Sequence, residues 1–143
     1  MIIRLSKIKK ISIAAILLFV TTTCNKDSYQ NFPYVSVNIT LSITNDLSAL
    51  ANGSSIVCPV LGGDKGIILF RLDPDYFAYD RLCTNYPSDT CAVNIDNSGI
   101  RAVCPCCHSI FSLIDGSVSA GPAKYALKQY NAVSDGGRLY IRN

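Results

Sequence analysis

Between Tyr34 and Ile43 every second residue is apolar: Val35, Val37, Ile39, Leu41 and Ile43 alternate with Ser36, Asn38, Thr40 and Ser42. A period of two belongs to a strand with one buried face, so this stretch is expected to be a strand. Short apolar segments follow at 55–60, 66–71 and 76–79, separated by Leu61-Gly62-Gly63-Asp64 and Asp73-Pro74-Asp75. Both separators carry the residues that turns require. The second half repeats the pattern. Segments 92–95 and 100–103 flank Asp96-Asn97-Ser98-Gly99, segments 111–114 and 117–118 flank Asp115-Gly116, and segments 125–130 and 139–142 flank Ser134-Asp135-Gly136-Gly137. Residues 45–52, with Leu47, Ala49 and Leu50 before Gly53, predict a single helical turn. No segment sustains helical periodicity over a dozen residues, and the chain reads as an all-β meander of hairpins.

Length and composition place this meander in one exported domain. The 143 residues suffice for one modest core. The hydrophobic fraction of 49% is raised by the N-terminus. Residues 1–23 carry Arg4, Lys7, Lys9 and Lys10 with no acid, followed by an apolar stretch at 11–20. That is the layout of a secretory signal, and the apolar part is too short to span a bilayer comfortably. Thr21-Thr22-Thr23-Cys24 then resembles a bacterial lipoprotein box, with Thr21 where leucine is usual. The resemblance implies that Cys24 becomes the lipidated first residue, the alternative being plain cleavage with Cys24 an ordinary thiol. The organisation expected is a signal at 1–23, a tether at 24–33 and a domain at 34–143. Lipid on Cys24 would anchor the domain to a bacterial membrane, facing the periplasm or the outer-membrane space. The signal's four cations exceed the whole chain's net +3, so the remainder stands at −1. A basic surface for nucleic acid is not indicated.

The candidate chemistry lies in the cysteines. Cys104-Pro105-Cys106-Cys107-His108-Ser109-Ile110-Phe111 is preceded by Asp80-Arg81-Leu82-Cys83-Thr84-Asn85. Two cysteine-bearing loops joined to strands can grip a zinc ion or an iron pair from opposite sides. Cys83, Cys91, Cys104 and Cys107 fall on these loops, and the Cys104-x-x-Cys107 spacing lets two thiolates reach one metal. Four thiolates would hold zinc or a 2Fe–2S cluster, the latter at roughly −400 mV against about −150 to +300 mV for histidine-ligated centres. An exported chain also lets disulfides persist, so six cysteines after Cys24 could pair instead, Cys58 among them.

From Asp80 to Tyr130 the chain resembles the cluster-binding region of Rieske-type iron–sulfur domains. Cys83 stands at the first cysteine of the family pattern, and Cys104-Pro105 opens the second loop. Ser109 and Phe111 fall at its Ser and Phe, Asp115-Gly116 at its turn, and Gly121-Pro122-Ala123 with Leu127 at its close. The resemblance implies a small antiparallel β-sandwich or barrel with two metal-binding hairpin loops, a 2Fe–2S cluster, electron transfer and a redox partner protein. The departures fall on the ligands. Asn85 occupies the first histidine position, Cys107 the second, and His108, the chain's one histidine, sits where glycine is usual. The standard two-histidine site is therefore not available. Cysteines in place of histidines give the candidate set Cys83, Cys91, Cys104 and Cys107, with His108 as an alternative ligand. Some Rieske domains cross-link their two loops, and Cys91 with Cys106 resembles that pair. The competing expectation is a cluster-less interaction module stapled by zinc or by disulfides alone.

Other features carry less. Asp80 and Arg81 are expected to form an ion pair that shapes the first loop. The tyrosines read as packing residues, Tyr86 alone being placed to tune a redox site by hydrogen bonding. No nucleophile elbow, phosphate loop, zinc-protease helix or spaced carboxylate pair occurs. The domain is not expected to be an enzyme by itself.

Overall fold

The computed structural model describes residues 32–59, 61–63, 65–85 and 91–143. The signal, Cys24, most of the tether and Tyr86 lie outside the described residues. No helix of the described residues is long and apolar enough to cross a membrane. Ten strands form in the order β1 (Asn38–Ser42), β2 (Ser55–Cys58), β3 (Ile67–Leu72), β4 (Asp75–Asp80), β5 (Asn94–Ile95), β6 (Arg101–Val103), β7 (Ile110–Ser112), β8 (Val118–Ala120), β9 (Gln129–Ser134) and β10 (Arg138–Arg142). They make a six-stranded antiparallel sheet, β1-β10-β9-β4-β3-β2, and a four-stranded one, β5-β6-β7-β8.

The uninterrupted apolar run of β3 follows from its position. Ile67, Ile68, Leu69 and Phe70 are all buried because both faces of the large sheet are covered there. Ile67 and Leu69 point into one core with Val37, Leu41, Leu47, Leu50, Ala78, Tyr130, Leu139 and Ile141. Ile68 and Phe70 point into the other, between the sheets, with Tyr79, Val93, Phe111, Leu113, Ala123 and Leu127. Cys83, Cys91 and Cys104 belong to this second core.

The hairpins β2–β3–β4 and β5–β6–β7–β8 are those expected, but the pairings that close the large sheet are distant in sequence. In one, Asn38 pairs with Arg142 and Ser42 with Arg138; in the other, Ala78 pairs with Tyr130. Two local expectations are corrected. Residues 45–52 form successive turns rather than a helical turn, with the Leu50 N–H donating to the Leu47 carbonyl at 2.9 Å. The strand expected at 125–130 begins only at Gln129, because Leu127 leaves the ladder to fill the inter-sheet core and its N–H donates to the Gly116 carbonyl at 2.9 Å.

Asp80 and Arg81 do not pair with each other. The Arg81 guanidinium donates to the carbonyls of Val93 (3.1 Å) and Lys65 (3.3 Å) and to Asn94 Oδ1 (3.0 Å). The buried Asp80 carboxylate accepts from the Tyr130 hydroxyl at 2.5 Å and from the Leu82 N–H at 2.8 Å. Alternation along β4 and its extension sends the two side chains to opposite sides. Burial, then the hydrogen bond to Asp80, pushes the Tyr130 hydroxyl well above its ordinary range, so it stays a donor. Replacing Tyr130 by Phe removes the donor and leaves a buried carboxylate short of a partner. The expected loss is about 1–3 kcal/mol in denaturant unfolding, with Asp80→Asn recovering part of it in the double variant.

Candidate metal centre

The first loop leaves β4 at Arg81 and returns at Val93. Its base is zipped by backbone bonds: Cys83 N–H to the Cys91 carbonyl at 2.9 Å, Val93 N–H to the Arg81 carbonyl at 2.7 Å, and a bridge between Leu82 and Ala92. This ladder, with burial of Leu82 and Val93, fixes where both cysteines of the loop point. Thr84 adds an anchor by donating its hydroxyl to the Tyr125 carbonyl at 2.6 Å.

The second loop joins β6 to β7 over six residues. Cys104 N–H donates to the Ser109 carbonyl and His108 N–H to the Cys104 carbonyl, each at 2.9 Å. This tight closure puts His108 at φ 59°, the left-handed region that favours glycine. Ser109 is wholly buried and accepts the Ala123 N–H on its Oγ at 3.0 Å. Gly121 lies so close that a Cβ on it would stand 2.5 Å from Ser109 Cα, at a φ of 96°. The Gly121-Pro122-Ala123 segment thus clamps the second loop from behind.

The loops bring five of the cysteines together. Cys91 and Cys106 are bonded through their sulfurs at 1.96 Å, tying the loops across a sequence separation of 15. Cys83 Sγ lies 3.6 Å from Cys107 Sγ, and Cys104 Sγ lies 3.7 Å from Cys91 Sγ. The sulfurs of Cys83, Cys104 and Cys107 all fall within 4.8 Å of one another. Cys91, expected among four ligands, has its sulfur committed to Cys106, so three free thiols converge among the described residues. His108 is exposed beside them. Cys58 is half-buried on β2 and packs against the opposite core from Cys83, Cys91 and Cys104. The large sheet separates it from the loops, which rules out the pairing with a loop cysteine entertained from composition. What the sequence did not disclose is Ser109 as a neighbour of the thiols. Its Oγ is 3.1 Å from Cys107 Sγ, accepting from the thiol or donating to the thiolate.

The three thiols differ in character. Burial, followed by hydrogen bonding with Cys104, pushes the Cys83 thiol up to about 12. Burial also raises Cys107, but hydrogen bonds from the Ser109 side chain and N–H, and from Cys104 and Cys83, outweigh it and bring this thiol below its ordinary value. In chelator, iodoacetamide is expected to modify Cys107 at a pH where Cys83 stays silent, read by peptide mass spectrometry. Ser109→Ala removes a stabiliser of the thiolate, so the pH profile of Cys107 alkylation moves upward. An unmoved profile would show that Ser109 does not act on this sulfur.

Tetrahedral metal–sulfur bonds of about 2.3 Å set ligand sulfurs near 3.8 Å apart; Cys83 and Cys107 stand at 3.6 Å, and Cys104 lies within 4.8 Å of both. The thiols of Cys83, Cys104 and Cys107 therefore fit one ion with a fourth position left over. A 2Fe–2S cluster takes two protein ligands on each iron, and the three free thiols fall one short. Cys91 can make up the number only when its bond to Cys106 is reduced.

Neither a family model nor a curated protein matches the chain by sequence. Solved structures do match. A cyanobacterial plasma membrane Rieske protein from Synechocystis PCC 6803 is 23% identical with a TM-score of 0.53, covering 77% of this chain and 100% of its own. The ferredoxin of carbazole 1,9a-dioxygenase from Nocardioides aromaticivorans IC177 is 18% identical with a TM-score of 0.51, over 76% of this chain and 98% of its own. A chain from the complex of reduced oxygenase and oxidized ferredoxin in carbazole 1,9a-dioxygenase is 16% identical with a TM-score of 0.53, over 74% and 93%. With its all-β architecture of a curled six-stranded sheet and a small second sheet bearing two loops, this chain has a Rieske-like fold.

Proposed function

We propose that this chain is an exported, lipid-anchored electron-transfer domain that holds iron through the thiolates of Cys83, Cys104 and Cys107. The observation that carries the reading is the convergence of those sulfurs within 4.8 Å between the two loops of a Rieske-like fold. When bound there, iron supplies a one-electron couple. The chain's residues hold and shield it. Cys83 and Cys104 are buried, Cys107 reaches solvent, and the Asn85 N–H donates to the Cys83 sulfur, which favours thiolate charge. Three free loop thiols favour a single iron, and a 2Fe–2S cluster would require a fourth ligand from reduced Cys91 or from His108. The tether at 24–33, with lipid on Cys24, would keep the loops within reach of a membrane-bound redox partner protein. The ferredoxin found with an oxygenase in the carbazole dioxygenase complex is a precedent for such a partner.

A second reading is favoured by the Cys91–Cys106 bond and by Asn85 at a histidine position. Disulfide cross-linking, or a zinc ion in the same thiols, would then make the domain an interaction module.

Residues 25–143, purified anaerobically after growth with iron, are expected to carry stoichiometric iron, thiolate-to-iron charge-transfer bands and an EPR signal. A high-spin ferric signal marks one iron, and a spin-half signal on reduction marks a cluster. Cys107→Ala should abolish the colour while the fold persists. Zinc alone, or no metal with an unchanged fold, refutes electron transfer by this domain. His108→Gly separates the ligand sets. Relieving the left-handed strain should raise stability by about 1 kcal/mol and leave iron content unchanged. Loss of iron in that variant would make His108 a ligand.

A further inference from the structure

The Cys91–Cys106 bond satisfies two of the five loop cysteines and leaves an unequal set behind. Cys104 is fully buried, and the Cys91 sulfur that stands 3.7 Å from its own is already bonded to Cys106. Cys83 is equally buried, but its sulfur stands 3.6 Å from that of Cys107. Cys107 is partly exposed. A disulfide sulfur pair is about 2.0 Å apart, so these two sulfurs need to approach by about 1.6 Å to bond. The loops that carry them are held in place from both sides. The Cys91–Cys106 bond fixes their spacing, and the backbone bonds from Cys83 to Cys91 and from Cys104 to Ser109 fix their bases.

One accessible sulfur in van der Waals contact with one inaccessible sulfur suits thiol–disulfide exchange. The accessible member meets the incoming disulfide, and the shielded member resolves the product. We propose that Cys107 and Cys83 form a dithiol–disulfide couple that exchanges with an external disulfide. The Cys107 thiolate attacks one sulfur of the incoming disulfide, forming a mixed disulfide and expelling the first thiolate. Cys83, losing its proton, then attacks the Cys107 sulfur, forming the Cys83–Cys107 bond and expelling the second. The chain loses two electrons and two protons, and the external disulfide gains them as two thiols. This activity uses two sulfurs of the proposed iron site without resting on that proposal, because metal-free protein holds the same pair.

The test uses metal-free protein with Cys91–Cys106 intact, kept in chelator and exposed to oxidised glutathione as the disulfide. Wild-type protein is expected to gain the Cys83–Cys107 cross-link and to retain no glutathione, read by mapping disulfides with mass spectrometry. Cys83→Ser should stop at the mixed disulfide, holding one glutathione on Cys107. Cys107→Ser should lose both the cross-link and the adduct. Continued protection of Cys104 from alkylation reports that each variant is folded, and the wild-type map decides alone where a variant is not. No reaction in the wild type, a stable adduct on wild-type Cys107, or pairing of Cys104 in place of Cys83 overturns the proposal. Failure to bind iron in the earlier experiment leaves this outcome untouched, so the two readings fall separately.

Discussion

Burial of β3 on both faces is the constraint from which the rest of the architecture follows. A strand whose consecutive residues Ile67, Ile68, Leu69 and Phe70 are all withdrawn from water needs a partner layer on each side. On one side the large sheet curls to supply it, bringing Leu139 and Ile141 of β10 round to Leu69. On the other the small sheet supplies it through Phe111 and Leu113. The segment from β4 to β5 that links the two sheets carries Cys83 and Cys91, and Cys104 opens the loop from β6 to β7. Cys83, Cys91 and Cys104 are part of that core, so their positions are set by apolar packing before any bond between sulfurs is considered.

The second loop is held by its own backbone closure and by a clamp from behind. The closure of the second loop, the clamp of Gly121 on Ser109 and the buried Ser109 hydroxyl are scaffold features, and all are present. His108 is the informative case, since a left-handed residue other than glycine is tolerated at a cost of about 1–2 kcal/mol.

Much of this was legible in the order of residues. Period-two alternation marked β1, and turn residues marked the hairpin boundaries other than that between β6 and β7, because both are local consequences of backbone geometry. The Cys, Pro, Ser, Phe and Asp-Gly spacing located both loops. Illegible were relations made by the whole sheet. Nothing local tells β1 to pair with β10, or Tyr130 to reach Asp80 across 50 positions. The same holds for Arg81. Its neighbour in sequence offers a carboxylate, yet alternation turns the two side chains apart and the guanidinium binds Val93, Lys65 and Asn94 instead. The separation of Cys58 from the other cysteines likewise follows from which core each faces.

The bond between the loops also joins opposite environments. Cys91 is buried in the inter-sheet core, whereas Cys106 is exposed at the tip of the second loop. Small-molecule thiols in a buffer therefore meet this bond from the solvent side, at Cys106. Reducing agents added routinely during purification would untie the loops and release Cys91 beside Cys104, converting three free loop thiols into five. Protein prepared with such agents and protein prepared without them are chemically different molecules at the site, and spectra or affinities from the two are not interchangeable.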